Sequence, residues 1–121
     1  MSRVQLINHK GKQIFYMDFS GLTNISDIKT TVAESIGYIR KLPPSSLLTL
    51  TNISGMHFSN EIKQIFQDFI AGNKPYVMAG AVIGMSGLQQ IVYNGIMKFT
   101  GRNIKSCSSI DEAKDWLVTN S

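Results

Sequence analysis

Cysteine is almost missing from this chain: Cys107 is the one thiol among 121 residues, so no intrachain disulfide can form and nothing points to an oxidising compartment. Long apolar runs are missing too. The longest, about Tyr76 to Met85, falls far short of the ~20 residues that a membrane-spanning helix needs, so no transmembrane segment is expected. The first ten residues, Met1 to Lys10, are interrupted too soon by polar side chains for a secretory signal, and a cytoplasmic protein is expected. Charge is sparse, at 17% of residues, and its bias is mild: twelve Lys and Arg against eight Asp and Glu give a formal +4. No run of Lys or Arg exceeds two, and the densest stretch, Lys98 to Lys105, offers a single aromatic, Phe99. Single-strand binders interleave stacking aromatics along a basic groove, so no nucleic-acid partner is expected and the charge reads as a solvated surface.

Chemical signatures are also lacking. Gly84-Met85-Ser86-Gly87 has a leucine, Leu88, where a nucleophile elbow needs glycine, and it lacks the further glycines or lysine of phosphate and dinucleotide loops. His9, His57 and Cys107 stand at no metal-ligand spacing. His9 falls in a hairpin loop and His57 has no orienting acid in its segment, so no triad can be drawn. No catalytic residue, metal or cofactor is therefore expected, and the chain reads as a non-enzyme.

What is present is a well-patterned small domain spanning residues 1–121, 43% hydrophobic and large enough to bury a core unaided. Val4–Asn8 and Gln13–Phe19 read as an antiparallel hairpin around Gly11. Asn24 caps a helix carrying Ile25, Ile28, Val32, Ile36 and Ile39, which must stop by Pro43-Pro44. Leu47–Thr51 follows as a strand. Ser59 caps a second helix with a stripe of Ile62, Ile65, Phe66, Phe69 and Ile70. Tyr76–Ile83, nearly all apolar, reads as an interior strand. A third helix places Leu88, Ile91, Val92, Ile96 and Phe99 on one face and ends at Gly101. A short strand near Asn103–Ser106 leads to a last helix with Ser109 and Glu112 at capping-box spacing, and Cys107 and Trp116 are expected to pack in the core.

This order implies an α/β fold: a mixed five-stranded sheet, antiparallel at its first strand and parallel thereafter, with four helices. Leu48 and Leu50 point to one face while Thr49 and Thr51 point to the other. The helices are therefore expected mainly on one face, leaving the threonine face partly exposed or covered by a partner.

Several segments together resemble the SpoIIAA-like branch of the STAS-domain superfamily. They are the hairpin with Lys10-Gly11-Lys12, the strand Leu47–Thr51 followed by Ser54-Gly55-Met56-His57-Phe58, the stretch from Asn73 to Val77 leading to Ala81-Val82-Ile83-Gly84, and the closing Asp111 to Leu117 helix. The resemblance covers nearly the whole chain. It implies a right-handed βα superhelix related to the CRAL-TRIO lipid-transfer fold, and a regulatory protein-interaction role. In the anti-sigma-factor antagonists of that superfamily, a serine or threonine in an Asp-Ser-Ser-Gly-type segment after the third strand is phosphorylated. Here Asn52 replaces the aspartate before Ser54-Gly55, and Ser59-Asn60 lacks both the aspartate and the glycine.

Ligands on open α/β sheets sit beyond the carboxyl ends of the parallel strands. Two loops are expected there: one holding Ser54, Gly55, Met56, His57, Ser59 and Asn60, the other Gly84, Met85, Ser86 and Gly87. They are the candidate partner-binding or ligand-binding loops, with Ser54 and Ser59 as candidate phosphorylation sites. Three occupants are compatible with this arrangement: a protein partner, a small apolar or lipid-like ligand held between the sheet and the Leu88–Phe99 helix, and a second copy of the chain in a homodimer.

Overall fold

Val4–His9 (β1) and Lys12–Asp18 (β2) pair antiparallel around Lys10-Gly11, both at positive φ (51° and 81°), the geometry that lets a two-residue turn follow the strand twist. This computed structural model describes residues 3–102 and 104–121. The chain continues as α1 (Ile25–Ile39), β3 (Leu47–Asn52), α2 (Asn60–Asn73), β4 (Val77–Ile83), α3 (Gly87–Thr100), β5 (Lys105–Cys107) and α4 (Ile110–Thr119). The five strands lie in the order β1-β2-β3-β4-β5, antiparallel between β1 and β2 and parallel thereafter. The expected element order, sheet direction and helix number all hold. Asn103, placed at the head of the last strand by the sequence, lies outside the described residues.

The caps explain where the helices begin. Asn24 accepts from the Ser26 amide (2.7 Å), Ser59 from Ile62 (3.2 Å) and Ser109 from Glu112 (3.1 Å), each supplying an acceptor to a free first-turn N–H. The Glu112 carboxylate returns to the Ser108 amide (2.7 Å), one residue before the position a strict capping box would use.

Because successive parallel strands are neighbours, crossovers of one hand put α1, α2 and α3 on the same face. Their core joins Ile28, Val32 and Ile39 to Phe66, Phe69, Phe19 and Ile96. α4 crosses the opposite face and closes a second, smaller core of Ile14, Leu48, Leu50, Ala81, Ile83, Cys107, Ala113 and Leu117. Trp116 packs at the margin of this second core, half-buried.

Two sequence expectations are corrected. Thr49 and Thr51 are 5% and 7% exposed and lie beneath α2 and α3, while Leu48 and Leu50 face α4. The helices do lie mainly on one face, but it is the threonine face that they cover, the face expected to be partly exposed or covered by a partner. The strongly apolar side of β3 and β4 meets α4, and the mixed side meets the larger layer, which brings polar groups of its own. The partly open part of the sheet is instead over β1 and β2, where Gln5, Ile7, Tyr16, Ile110 and Lys114 line a groove of about 160 Å³.

The second correction concerns the rotation of α3. Ile91 and Phe99 are 70% and 75% exposed, and the side chains turned inward are Gln89, Tyr93 and Ile96. The side chain of Leu88 lies outside the described residues. A purely apolar face would have left the Met56 carbonyl without a partner, while the Ile53 carbonyl already accepts from Met56 N (3.1 Å). Gln89 faces them instead, donating its Nε2 to Met56 at 2.7 Å and Ile53 at 3.4 Å.

Candidate functional site

At the carboxyl ends of β2, β3 and β4 the strands continue into loops that remain bonded to one another. Phe19 N donates to Asn52 O (2.8 Å), Ile53 N to Ile83 O (3.0 Å), Gly21 N to Ser54 O (2.7 Å) and His57 N to Leu22 O (3.0 Å). Asn52 holds the turn from inside: its Oδ1 accepts from Ser54 N (3.0 Å) and its Nδ2 donates to Tyr16 Oη (3.0 Å). This local closure is the Asx turn favoured by an asparagine at the end of a strand.

The two loops singled out from sequence do converge. Gly84, at φ 86°, lies so close to Ser54 that a Cβ there would overlap the Ser54 hydroxyl, amide nitrogen and Cα. Ser54, Gly55, His57, Asn60, Ser86 and Gly87 are exposed, Gly84 and Met85 partly buried. Met56 is 3% exposed and belongs to the three-helix core, so it holds the loop down and offers no surface for contact. Ser59 is half-buried with its hydroxyl occupied as the α2 cap, whereas the Ser54 hydroxyl makes no hydrogen bond among the described residues. Ser86 starts α3 by donating both its amide and its hydroxyl to Gln89 Oε1, each at 3.1 Å. Gln89 therefore ties both loops together. Its role is invisible in sequence, since nothing marks a mid-chain glutamine as buried.

Among the described residues neither histidine pairs with an acid at this end. The His57 side chain makes no hydrogen bond among the described residues, and His9 lies at the far end of β1, where its Nε2 is 2.7 Å from Asp115 Oδ1. That bond, and a second from Lys10, hold the Asp115 carboxyl below its usual range. Burial first, and then Glu112, push the Cys107 thiol up, away from the thiolate. No group of three or more His, Cys, Asp or Glu that could hold a metal occurs among the described residues.

Between the sheet and α2–α3 lies a cavity of about 20 Å³ with a mostly apolar lining, Phe66, Phe69 and Ile104 among it, into which Thr49, Thr51, Asn73, Tyr93 and Arg102 bring polar groups. It holds about one water, roughly a tenth of the space an organic ligand needs.

The opposite end of the sheet has a different electrostatic character. The hairpin brings Lys10 and Lys12 there, the end of α1 Arg40 and Lys41, the end of α2 Lys74, and the last turn of α3 and its exit Lys98, Arg102 and Lys105. Asp18, Asp27, Glu61, Asp111 and Glu112 all lie at the strand-end side. Many of the cations scattered along the chain are thus gathered in space, because each crossover helix returns its C-terminus to the strand starts, although Arg3, Lys29 and Lys63 stay at the strand-end side and Asp115 joins His9 and Lys10 at the cationic end. Helix dipoles favour this placement.

No family model matches the chain, and no curated protein matches it. Among solved structures, the chain is similar to an uncharacterized protein of the DUF3478 family with a SpoIIAA-like fold from Shewanella loihica PV-4, with a TM-score of 0.66 and 18% identity over 94% of this chain and 91% of that one. No helix of the described residues is long and apolar enough to cross a membrane. With its mixed five-stranded sheet, three crossover helices on one face and a closing helix on the other, the chain has a SpoIIAA-like fold.

Proposed function

We propose that the chain is a non-enzymatic protein-interaction module whose partner docks on the joined loops Ser54–Asn60 and Gly84–Gly87. The close approach of Gly84 to Ser54 carries this reading: it fixes two exposed loops into one surface, so little ordering entropy is lost when a partner binds. Ser54 is the better candidate switch of the two serines. Its hydroxyl is exposed and unengaged among the described residues, and a phosphate there would add up to ~−2 charge beside the start of α3. Ser59 would have to give up its cap first.

Affinity capture from lysate with wild type, Ser54→Asp and Ser59→Asp tests the reading. Aspartate caps helices well, so Ser59→Asp should fold and retain the wild-type partner. A partner held by wild type and Ser59→Asp but altered in yield by Ser54→Asp is expected. Identical capture by Ser54→Asp and wild type would remove the switch, and no retained protein in any sample would count against docking itself.

A further inference from the structure

Arg102 is a cation set largely inside the fold. It lies largely buried between α3 and β5, where Gly80 leaves room for it: a Cβ on Gly80 would stand 3.4 Å from Arg102 Nη2 and 3.0 Å from Thr49 Oγ1. Its Nη1 donates to Ile70 O (3.0 Å), and no carboxylate pairs with it among the described residues. Burial lowers its pKa, the mark of a cation losing hydration without a counter-charge. Among the described residues no shielded side-chain nitrogen or oxygen lacks a partner, so the remaining donors of Arg102 open onto the spaces it lines. One is the water-sized cavity beside Tyr93; the other is an open pocket of about 280 Å³ formed with Lys74, Met78, Gly80 and Gly101.

β5 pairs with β4 only from Ala81 onward, which leaves Val77–Gly80 as the floor of that pocket. Lys74 closes its rim: a Cβ on Gly101 would lie 3.0 Å from Lys74 Nζ. Among the described residues the lining contains two cations and no acid. We propose that this pocket binds the phosphate group of a small organic molecule, with Arg102 and Lys74 as its two cationic contacts and Met78 against the carbon portion. A guanidinium presents paired donors to phosphate oxygens, and the ammonium adds a movable point charge. The pairing of Arg102 with Lys74 favours a dianion over a single carboxylate. The volume, at the small end for organic ligands, suits a phosphate bearing a few carbons.

The test is a nitrogen-15 NMR titration of the whole chain with inorganic phosphate, n-butyl phosphate and sodium chloride at matched ionic strength. Saturable shifts at Gly80, Gly101 and Arg102 are expected with both phosphates, tighter for n-butyl phosphate. Lys74→Gln, an exposed substitution that should fold, is expected to weaken binding about tenfold, while Lys63→Gln at the other end leaves it unchanged. Arg102→Gln should abolish binding if it folds. The same shifts with chloride, or wild-type binding by Lys74→Gln, would overturn the site. Equal affinity for the two phosphates would overturn its organic portion. A single-stranded oligonucleotide bound more tightly than n-butyl phosphate and indifferent to Lys74→Gln would make this end a nucleic-acid surface instead.

Discussion

Gly84 packs its Cα against the backbone of Ser54, and no residue with a side chain fits between them. That contact joins the ends of β3 and β4 beyond their last ladder bond, from Ile53 N to Ile83 O. It also makes the candidate surface depend on a residue with no functional group.

Gly84→Ala is accordingly expected to destabilise the protein by about 2 kcal/mol or more, adding steric overlap to the cost of a left-handed backbone for a residue with a Cβ. Urea denaturation measures this. A loss below about 0.5 kcal/mol, the range of neutral surface changes, would mean the loops are not rigidly joined.

The rotation of α3 gives a paired expectation. Gln89→Leu leaves the Met56 carbonyl without its donor, while the Ile53 carbonyl keeps the Met56 amide, and should cost about 1–3 kcal/mol. Phe99→Ser, at a position 75% exposed, should change stability by no more than about 0.5 kcal/mol. A larger loss at Phe99 than at Gln89 would return the helix to the orientation its apolar spacing suggested.

Asp115 supplies a pH dependence. Its folded-state pKa is depressed, chiefly by the His9 bond and then by Lys10, below the ordinary 3.8. The stabilisation is therefore fully present above the unfolded value and is lost as pH falls through the lower, folded one. The hairpin turn at Lys10-Gly11 should loosen below about pH 4, seen as faster amide exchange there, and Asp115→Asn should show that looseness at neutral pH. Equal exchange in the variant and wild type at pH 7 would leave the ion pair without a structural role.

Much of this architecture is legible in the residues themselves. Asn24, Ser59 and Ser109 cap as their sequence context implies, and Pro43-Pro44 and Gly101 fall beyond helices that end where expected. The strand order follows from alternation and short connections. What could not be read was polarity turned inward. Thr49, Thr51, Gln89 and Tyr93 look like surface or margin by residue type, and they are buried because they meet one another, a small cavity and loop carbonyls. Residue-type reasoning places such groups in solvent unless their partners are known. The gathering of Arg40, Lys74, Lys98 and Arg102 was hidden for a different reason: it is a property of topology, and linear spacing does not carry it. The loops of the candidate site were found in sequence by position at the strand ends, while the fixing roles of Gly84 and Gln89 required the fold.

The most direct test of the docking surface is site-specific photocrosslinking in cells, with the photoreactive side chain at His57 or Ser86 on the joined loops and at Lys12 or Lys41 at the opposite end, all four exposed. A discrete crosslinked species from His57 and Ser86, missing from Lys12 and Lys41, is the expected result. The same species from all four positions, or from the Lys12 and Lys41 end alone, would contradict the assignment of the strand-end loops as the partner surface.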